Sequence, residues 1–425
     1  MHTPETASSC NCRPLVIVEG FLGRAGSVLW GKFERFLRWE CDTCTRRAIF
    51  TSVGPVSSLH DRACELYYSL VGGRVDYGEE HSKIHGHARY GRTIENGLYP
   101  QWSKQNPLHF LGHSIGGPTI LKLQHLIKTG HFGEYAHPDM VLSVNTVFSP
   151  FRGTSAVYTL GERVDAAPTV RPLSLGSFLA KGVHVVSYLS PLLPTALDLH
   201  ADSRALSYND ISFLSFLKQL WRSDWAESRD ATPFDVTFEA ADEREAQEEG
   251  RPNPGTYYRS YCGHMTEKVA PDDTKHAPPI GLTTIPFYIL SRAMGTFDYS
   301  QLQPPPSFLT ERSSSKRSES SSSHDIERGA PKEYEELTEE YYTNDGVVPL
   351  FSQWHPHPCS TIKCRHTKLR TSTEDPQPGT WHVHEIENAH HLSLVPSWLL
   401  NSRQRRYWIE LGRWLMAIDA RTMQV

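Results

Sequence analysis

Residues 15–18, Leu-Val-Ile-Val, form an uninterrupted apolar run closed by Glu19 and Gly20, the pattern of a buried strand feeding a loop. Within residues 30–39, Phe33, Phe36 and Leu37 sit at helical spacing, and residues 48–53 predict a second strand. Helical spacing returns over residues 62–71 and stops at Gly72-Gly73. Leu108-His109-Phe110-Leu111 predicts a further strand, then a glycine-rich turn, then a helix over 119–127 striped by Ile120, Leu123 and Leu126 or Ile127. Residues 141–148 predict the next strand, broken by Pro150 and Gly153. Strands alternating with helices specify the α/β class, with a mostly parallel sheet and helices on both faces.

The pattern is less regular between 155 and 250, with an apolar stretch over 185–199 and helical spacing over 211–220. An insertion after central strands can cap a site or simply pack on the core. Residues 240–250 read as a charged helix or solvated linker, and 256–262 as a late strand. From 303 to 332, a proline triplet at 304–306 precedes serine runs among charges, a composition that cannot bury enough area to offset ordering, so a disordered insertion is expected. Folding resumes near Glu335. After Pro396 a final helix is expected, burying Trp408, Leu411, Trp414, Leu415 and Ile418 on one face.

The 425 residues, 38% of them hydrophobic, suffice for one large core with insertions, and a single domain over 1–425 is the simplest division. A formal charge of -5 without a long basic run argues against a nucleic-acid partner. No segment approaches about 18 consecutive apolar residues, so no transmembrane helix is expected. The first residues lack a basic segment followed by an apolar one, which predicts a cytoplasmic protein, or a secreted one if the sequence is a processed form. Eight cysteines are too dilute for a disulfide-held scaffold; Cys41 and Cys44 read as incidental, and no second close pair has ordinary zinc-knuckle spacing.

The chemistry concentrates around Gly112-His113-Ser114-Ile115-Gly116. Between an apolar strand and an amphipathic helix, this Gly-x-Ser-x-Gly elbow projects the Ser114 hydroxyl above the sheet as a nucleophile. Such a serine needs a base, and in this architecture the acid comes next in the chain and the histidine last. Late in the sequence, Asn388-Ala389-His390-His391-Leu392 offers His391, preferred here over His390. Asp345, in Asn344-Asp345-Gly346-Val347-Val348, can hold the imidazole; Glu387 is the alternative, disfavoured by its closeness to His391 in sequence. The backbone N–H groups of Phe21 and Ile115 are the candidate oxyanion donors. Asp61 with the scattered His81, His85 and His87 is, from residue type alone, only a weak metal pattern.

Taken together, these islands resemble the thermoalkalophilic bacterial lipases of the Geobacillus and Staphylococcus type. The resemblance rests on Gly20-Phe21 with Gly23, on the nearly continuous motifs from Val53 to Arg92, and on the Ser114 elbow. Ser143-Val144-Asn145-Thr146, Pro252 to Tyr258, Asn344 to Val348 and His391-Leu392 extend it. It implies an α/β-hydrolase fold, the triad Ser114, Asp345 and His391, and an oxyanion hole from the N–H groups of Phe21 and Ile115. It also implies structural zinc on Asp61, His81, His87 and Asp230, the last placed by spacing. Residues 54–95 and 175–250 would then be inserted zinc-binding and lid regions. Three departures stand out: Glu19 replaces the usual histidine, Ile115 replaces the usual glutamine, and Ser393 to Pro396 lack acidic calcium ligands, so no calcium is expected. The serine-rich insertion, foreign to the bacterial pattern, suggests a eukaryotic or fungal relative.

The expected activity is carboxylic-ester hydrolysis, of acylglycerols at a membrane or micelle surface, through an acyl-enzyme on Ser114. The alternative is a hydrolase-shaped binding or scaffold protein with little turnover.

Overall fold

The computed structural model describes residues 12–23, 30–31, 33–37, 46–194, 197–281, 285–310, 337–368, 375–395 and 401–423. Its centre is a seven-stranded sheet of Leu15–Val18 (β1), Ala48–Phe50 (β2), Leu108–His113 (β3), Val141–Val147 (β4), Tyr257–His264 (β5), Cys364–Lys368 (β6) and Trp381–Glu387 (β7). The order is β6-β7-β5-β4-β3-β1-β2, and every pairing is parallel. β1, β3 and β4 are buried along their whole length, as expected of parallel strands covered on both faces.

Helices cover both faces: Leu59–Val71 (α1), Glu79–His85 (α2), Gly116–Lys128 (α3), Leu175–Leu189 (α4), Phe213–Trp221 (α5), Leu350–Trp354 (α6) and Ser402–Thr422 (α7) are those that bear on the site. Side chains alternate across a strand, so β1 sends Val16 and Val18 to one face and Leu15 and Ile17 to the other. The first pair joins Ala63, Leu66 and Leu70 of α1 and Ile120, Leu123 and Ile127 of α3. Leu15 and Ile17 pack with Trp408, Leu411, Leu415 and Ile418 of α7. The expected face of the final helix is therefore the buried one. An Asn401–Gln404 capping box starts α7, and Asp419 near its end receives Arg46 at 2.8 Å and lies 3.1 Å from His109.

β6 and β7 escaped the sequence reading. Their histidines broke the apolar pattern, yet His382 and His384 are nearly fully buried in β7. The stretch expected to be disordered begins as ordered chain: Phe308 and Leu309 are buried with Tyr341 and Phe351, because two large apolar side chains after the proline triplet find a core to join. Residues 311–336, which hold the serine runs, and Cys41 and Cys44 lie outside the described residues. Among the described residues no helix is long and apolar enough to cross a membrane.

Candidate active site

β3 ends at His113, and the chain turns into α3 through Ser114, whose φ is 55°. A non-glycine residue in the left-handed region is strained, and such strain persists only where the surroundings hold it. Here the turn is held by close backbone packing: a Cβ on Gly112 would stand 2.4 Å from the Gly117 nitrogen, and one on Gly116 would stand 2.1 Å from the Val18 carbonyl oxygen. The Ser114 N–H donates to Val147 O on β4 at 2.9 Å. The two glycines of the elbow are thus required by contact.

Asp345 lies in a loop docked at the carboxyl end of β5, where Met265 N donates to Asn344 O at 2.8 Å. His391 follows β7 in the same layer, its loop tied to β5 by Ala389 N donating to His264 O at 2.8 Å. Serine, carboxylate and imidazole thus rise from the carboxyl ends of β3, β5 and β7, the side of an open parallel sheet where ligand crevices form. Asp345 is fully buried; its Oδ1 accepts from Val347 N at 2.9 Å and Val348 N at 2.7 Å, leaving Oδ2 for His391 Nδ1 at 2.8 Å. With Nδ1–H donating to the carboxylate, the Nε2 of a neutral ring is a free base. Among the described residues no hydrogen bond joins Ser114 Oγ to His391; catalytic contacts of this kind commonly close only around a substrate. Glu387 ends β7 and His390 faces Phe287 in a ring stack, so neither makes the contact that joins Asp345 to His391.

His113 was not singled out by sequence. It is buried, its Nε2–H donates to the His391 carbonyl at 3.0 Å, and the two ring centroids are 5.0 Å apart. Burial holds its pKa down to about 3, so it is a neutral prop beneath the His391 loop. Its place inside the elbow was the available signal.

Above Ser114 lies a cavity of about 150 Å³, lined by Phe21 and Ile115 and by apolar side chains including Val157, Leu160, Leu179 and Val236. Neither the Phe21 nor the Ile115 N–H donates to another protein group among the described residues. Glu19 does not enter the cavity lining: its side chain is buried, accepts from Trp30 Nε1 at 2.9 Å, and its carbonyl accepts from Arg62 Nη2 at 2.6 Å. Glu162, by contrast, lines the cavity with its Oε1 unpartnered, and burial followed by the charges of Glu227 and Glu239 raises its pKa to about 8.

A second constellation lies at α1 and α2. Donor atoms of Asp61, His81, His87 and Asp230 all lie within 4.8 Å of one another. His81 Nε2 is 3.4 Å from Asp61 Oδ1 and 3.2 Å from Asp230 Oδ1, and His87 Nε2 is 3.4 Å from Asp230 Oδ2. Asp61 Oδ1, His81 Nε2 and His87 Nε2 are buried without hydrogen-bond partners. Orphaned buried polar atoms are costly, and a cation between them would satisfy all three at once. His87 Nδ1 lies 2.9 Å from Ala88 O, which fixes the tautomer that leaves Nε2 as a ligand. The cluster can hold a metal ion.

The family described as Lipase-like, C-terminal domain matches residues 11–301. A lipase of Staphylococcus hyicus is 32% identical over 295 residues, covering 64% of this chain and 43% of that protein. Lipase 1 of Staphylococcus aureus is 26% identical over 396 residues, covering 88% and 49%. The chain therefore spans about half the length of the curated relatives it matches. Among solved structures, Staphylococcus hyicus lipase superposes with a TM-score of 0.70 at 26% identity, covering 99% of both chains. EstA from Clostridium botulinum shares the fold, with a TM-score of 0.64 at 23% identity over 98% of this chain and 89% of that one. These relatives are bacterial, which corrects the eukaryotic or fungal placement drawn from the serine-rich insertion. Loop insertions cost little closure entropy as they lengthen, so such a segment carries no lineage signal. Sequence match, parallel sheet and serine elbow agree: the chain belongs to the lipase-like, C-terminal domain family.

Proposed function

We propose that this chain is a serine carboxylic-ester hydrolase acting on acylglycerols. The observation that carries the reading is the strained Ser114 at an apolar cavity, with the Asp345–His391 pair on neighbouring strand ends. His391 Nε2 takes the Ser114 proton as Oγ attacks the ester carbonyl. Asp345 holds the tautomer and stabilises the imidazolium. The N–H groups of Phe21 and Ile115 face the negative charge that develops on the carbonyl oxygen, where fixed donors in a dry site act strongly. Protonation by His391 releases the alcohol, and water activated by the same ring frees the acid. The cavity suits an acyl chain: its lining is mostly apolar, with Ser114, Thr154, Thr232 and Glu162 as the polar residues.

Residues 175–250 form the lid in this reading. α4 turns Gly176 and Leu179 toward the cavity while Leu175 and Phe178 are exposed, and α5 exposes Leu214 and Trp221, the latter at 93%. Apolar surface this exposed finds its partner in aggregated lipid. Residues 54–95 would carry structural zinc on Asp61, His81, His87 and Asp230. Two carboxylates balance the ion's charge, and four protein ligands leave no open position, so the metal clamps α1 to the segment before residue 232 and takes no part in the reaction.

The test is hydrolysis of short and long acyl esters by the wild type and by Ser114→Ala. Loss of both activities in the variant supports the reading, and equal rates in the two proteins exclude a Ser114 acyl-enzyme.

A further inference from the structure

We propose a second, thiolate-containing metal site at the far edge of the sheet, formed by His355, Cys359, Cys364 and His366 and suited to zinc. The strand order puts β6 at the edge, and Cys364 and His366, two apart in β6, project from the same face of the strand. His355 leaves the end of α6, and Cys359 follows after the His357 and Pro358 turn. One donor atom from each of the four residues lies within 4.8 Å of the other three.

Distances fit a tetrahedral ion. Zinc bonds of about 2.3 Å to sulfur and about 2.0 Å to nitrogen at tetrahedral angles place a sulfur and a nitrogen about 3.5 Å apart. Cys359 Sγ lies 3.5 Å from His355 Nε2 and 3.4 Å from His366 Nε2. Cys359 and Cys364 are free thiols, so no disulfide accounts for their approach. His355 is buried, and its Nδ1–H donates to His357 O at 2.7 Å, which leaves Nε2 with a lone pair aimed at Cys359. That backbone contact is the outer-shell bond a ligating imidazole normally makes. His366 is steadied by an edge-on contact with Trp354, 4.9 Å between centroids.

Two thiolates and two neutral imidazoles are a closed, soft donor set with no place for substrate, so the metal is structural. It would staple the loop from His355 to His366 and hold the outermost strand against the end of α6. α6 in turn contacts the Asp345 loop, since Gln353 Nε2 donates to Val348 O at 3.0 Å. The metal therefore braces the connection between acid and base while standing apart from both, and the inference is independent of the proposed ester hydrolysis.

The experiment uses the full chain, purified without added metal or chelator. Native protein is treated with iodoacetamide before and after a strong zinc chelator, and modification of Cys359 and Cys364 is read peptide by peptide with mass spectrometry. Exposed Cys359 should be protected at first, and its alkylation should accelerate on the order of tenfold or more once the metal is removed. Zinc per chain should fall by about one equivalent in Cys359→Ser plus Cys364→Ser and leave the other equivalent in place. His81→Ala plus His87→Ala should lose the other equivalent and keep Cys359 protected. Chelator-independent alkylation of Cys359, a Cys359–Cys364 disulfide under non-reducing conditions, or unchanged zinc in the serine variant would each overturn the proposal. If the serine variant does not fold, alkylation of the wild type decides alone.

Discussion

His391 is bound twice to Asp345: its ring Nδ1 lies 2.8 Å from the carboxylate Oδ2, and its backbone N–H donates to the Asp345 carbonyl at 2.9 Å. One residue thereby sets both the position of the loop and the tautomer of the ring.

Asp345→Asn separates those two tasks. The backbone contact survives, but the amide can present its N–H to the ring and stabilise the wrong tautomer. We expect kcat for ester hydrolysis to fall by about 10⁴-fold with little change in thermal stability, as in other serine triads. Steady-state kinetics with a soluble ester, alongside a melting curve, checks both parts; a loss below tenfold would remove Asp345 from the mechanism.

Glu162 predicts a pH dependence of stability. Its folded pKa of about 8 stands above the ordinary value of 4.5 because burial disfavours the charge. Below 4.5 both folded and unfolded chains hold the proton and the residue has no effect; between 4.5 and about 8 only the unfolded chain releases it, so stability falls as pH rises through that window and levels off above it. Glu162→Gln should match the wild type near the acid end and exceed it by a few kcal/mol at the alkaline end. Denaturant titrations at both ends measure this difference, and parallel curves for the two proteins would show that the carboxyl is not held neutral.

Loss of the proposed zinc from Asp61, His81, His87 and Asp230 would leave two buried carboxylates with oxygens within 4.8 Å of each other. Chelation should lower the melting temperature, by several degrees or more, because metal that binds only the folded state stabilises it by mass action. Elemental analysis with scanning calorimetry tests this. Zinc content that does not fall by about one equivalent per chain in His81→Ala plus His87→Ala would show that other residues hold the ion.

Trp221, 93% exposed on α5, bears on the proposed lid. Trp221→Ser should reduce hydrolysis of emulsified triacylglycerol several-fold and affect a dissolved short-chain ester much less, since only the former requires apolar surface to meet an interface. Paired assays below and above the substrate's solubility limit read the effect; equal losses on both substrates would argue against interfacial docking.

Much of this arrangement was legible in the sequence because it is built from local patterns. The apolar run at 15–18, the Ser114 elbow and the stripe of the last helix each announce an element within a few residues, and each is found where the pattern put it. Asp345 and His391 could be named from chain order and family resemblance, but their 2.8 Å contact spans 46 positions and depends on β5 and β7 lying side by side. β7 itself was hidden, because its buried histidines read as polar. The place of His113 was hidden as well: nothing in a Gly-x-Ser-x-Gly string tells that its second residue supports the backbone of His391. The His355–His366 cluster escaped because its ligands are spaced unlike a zinc knuckle, and only the alternation of an unrecognised edge strand brings Cys364 and His366 to one face.

In the proposed mechanism His391, held by Asp345, activates Ser114 as a nucleophile. Incubation with a serine-reactive alkyl phosphonate, followed by peptide mass spectrometry, reads that activation at the hydroxyl itself. We predict a stoichiometric adduct on the peptide bearing Ser114, formed far more slowly in Asp345→Asn and His391→Ala and absent from Ser114→Ala. An unmodified Ser114 in the wild type, or modification at the same rate when His391 is replaced, would rule out activation of Ser114 by His391.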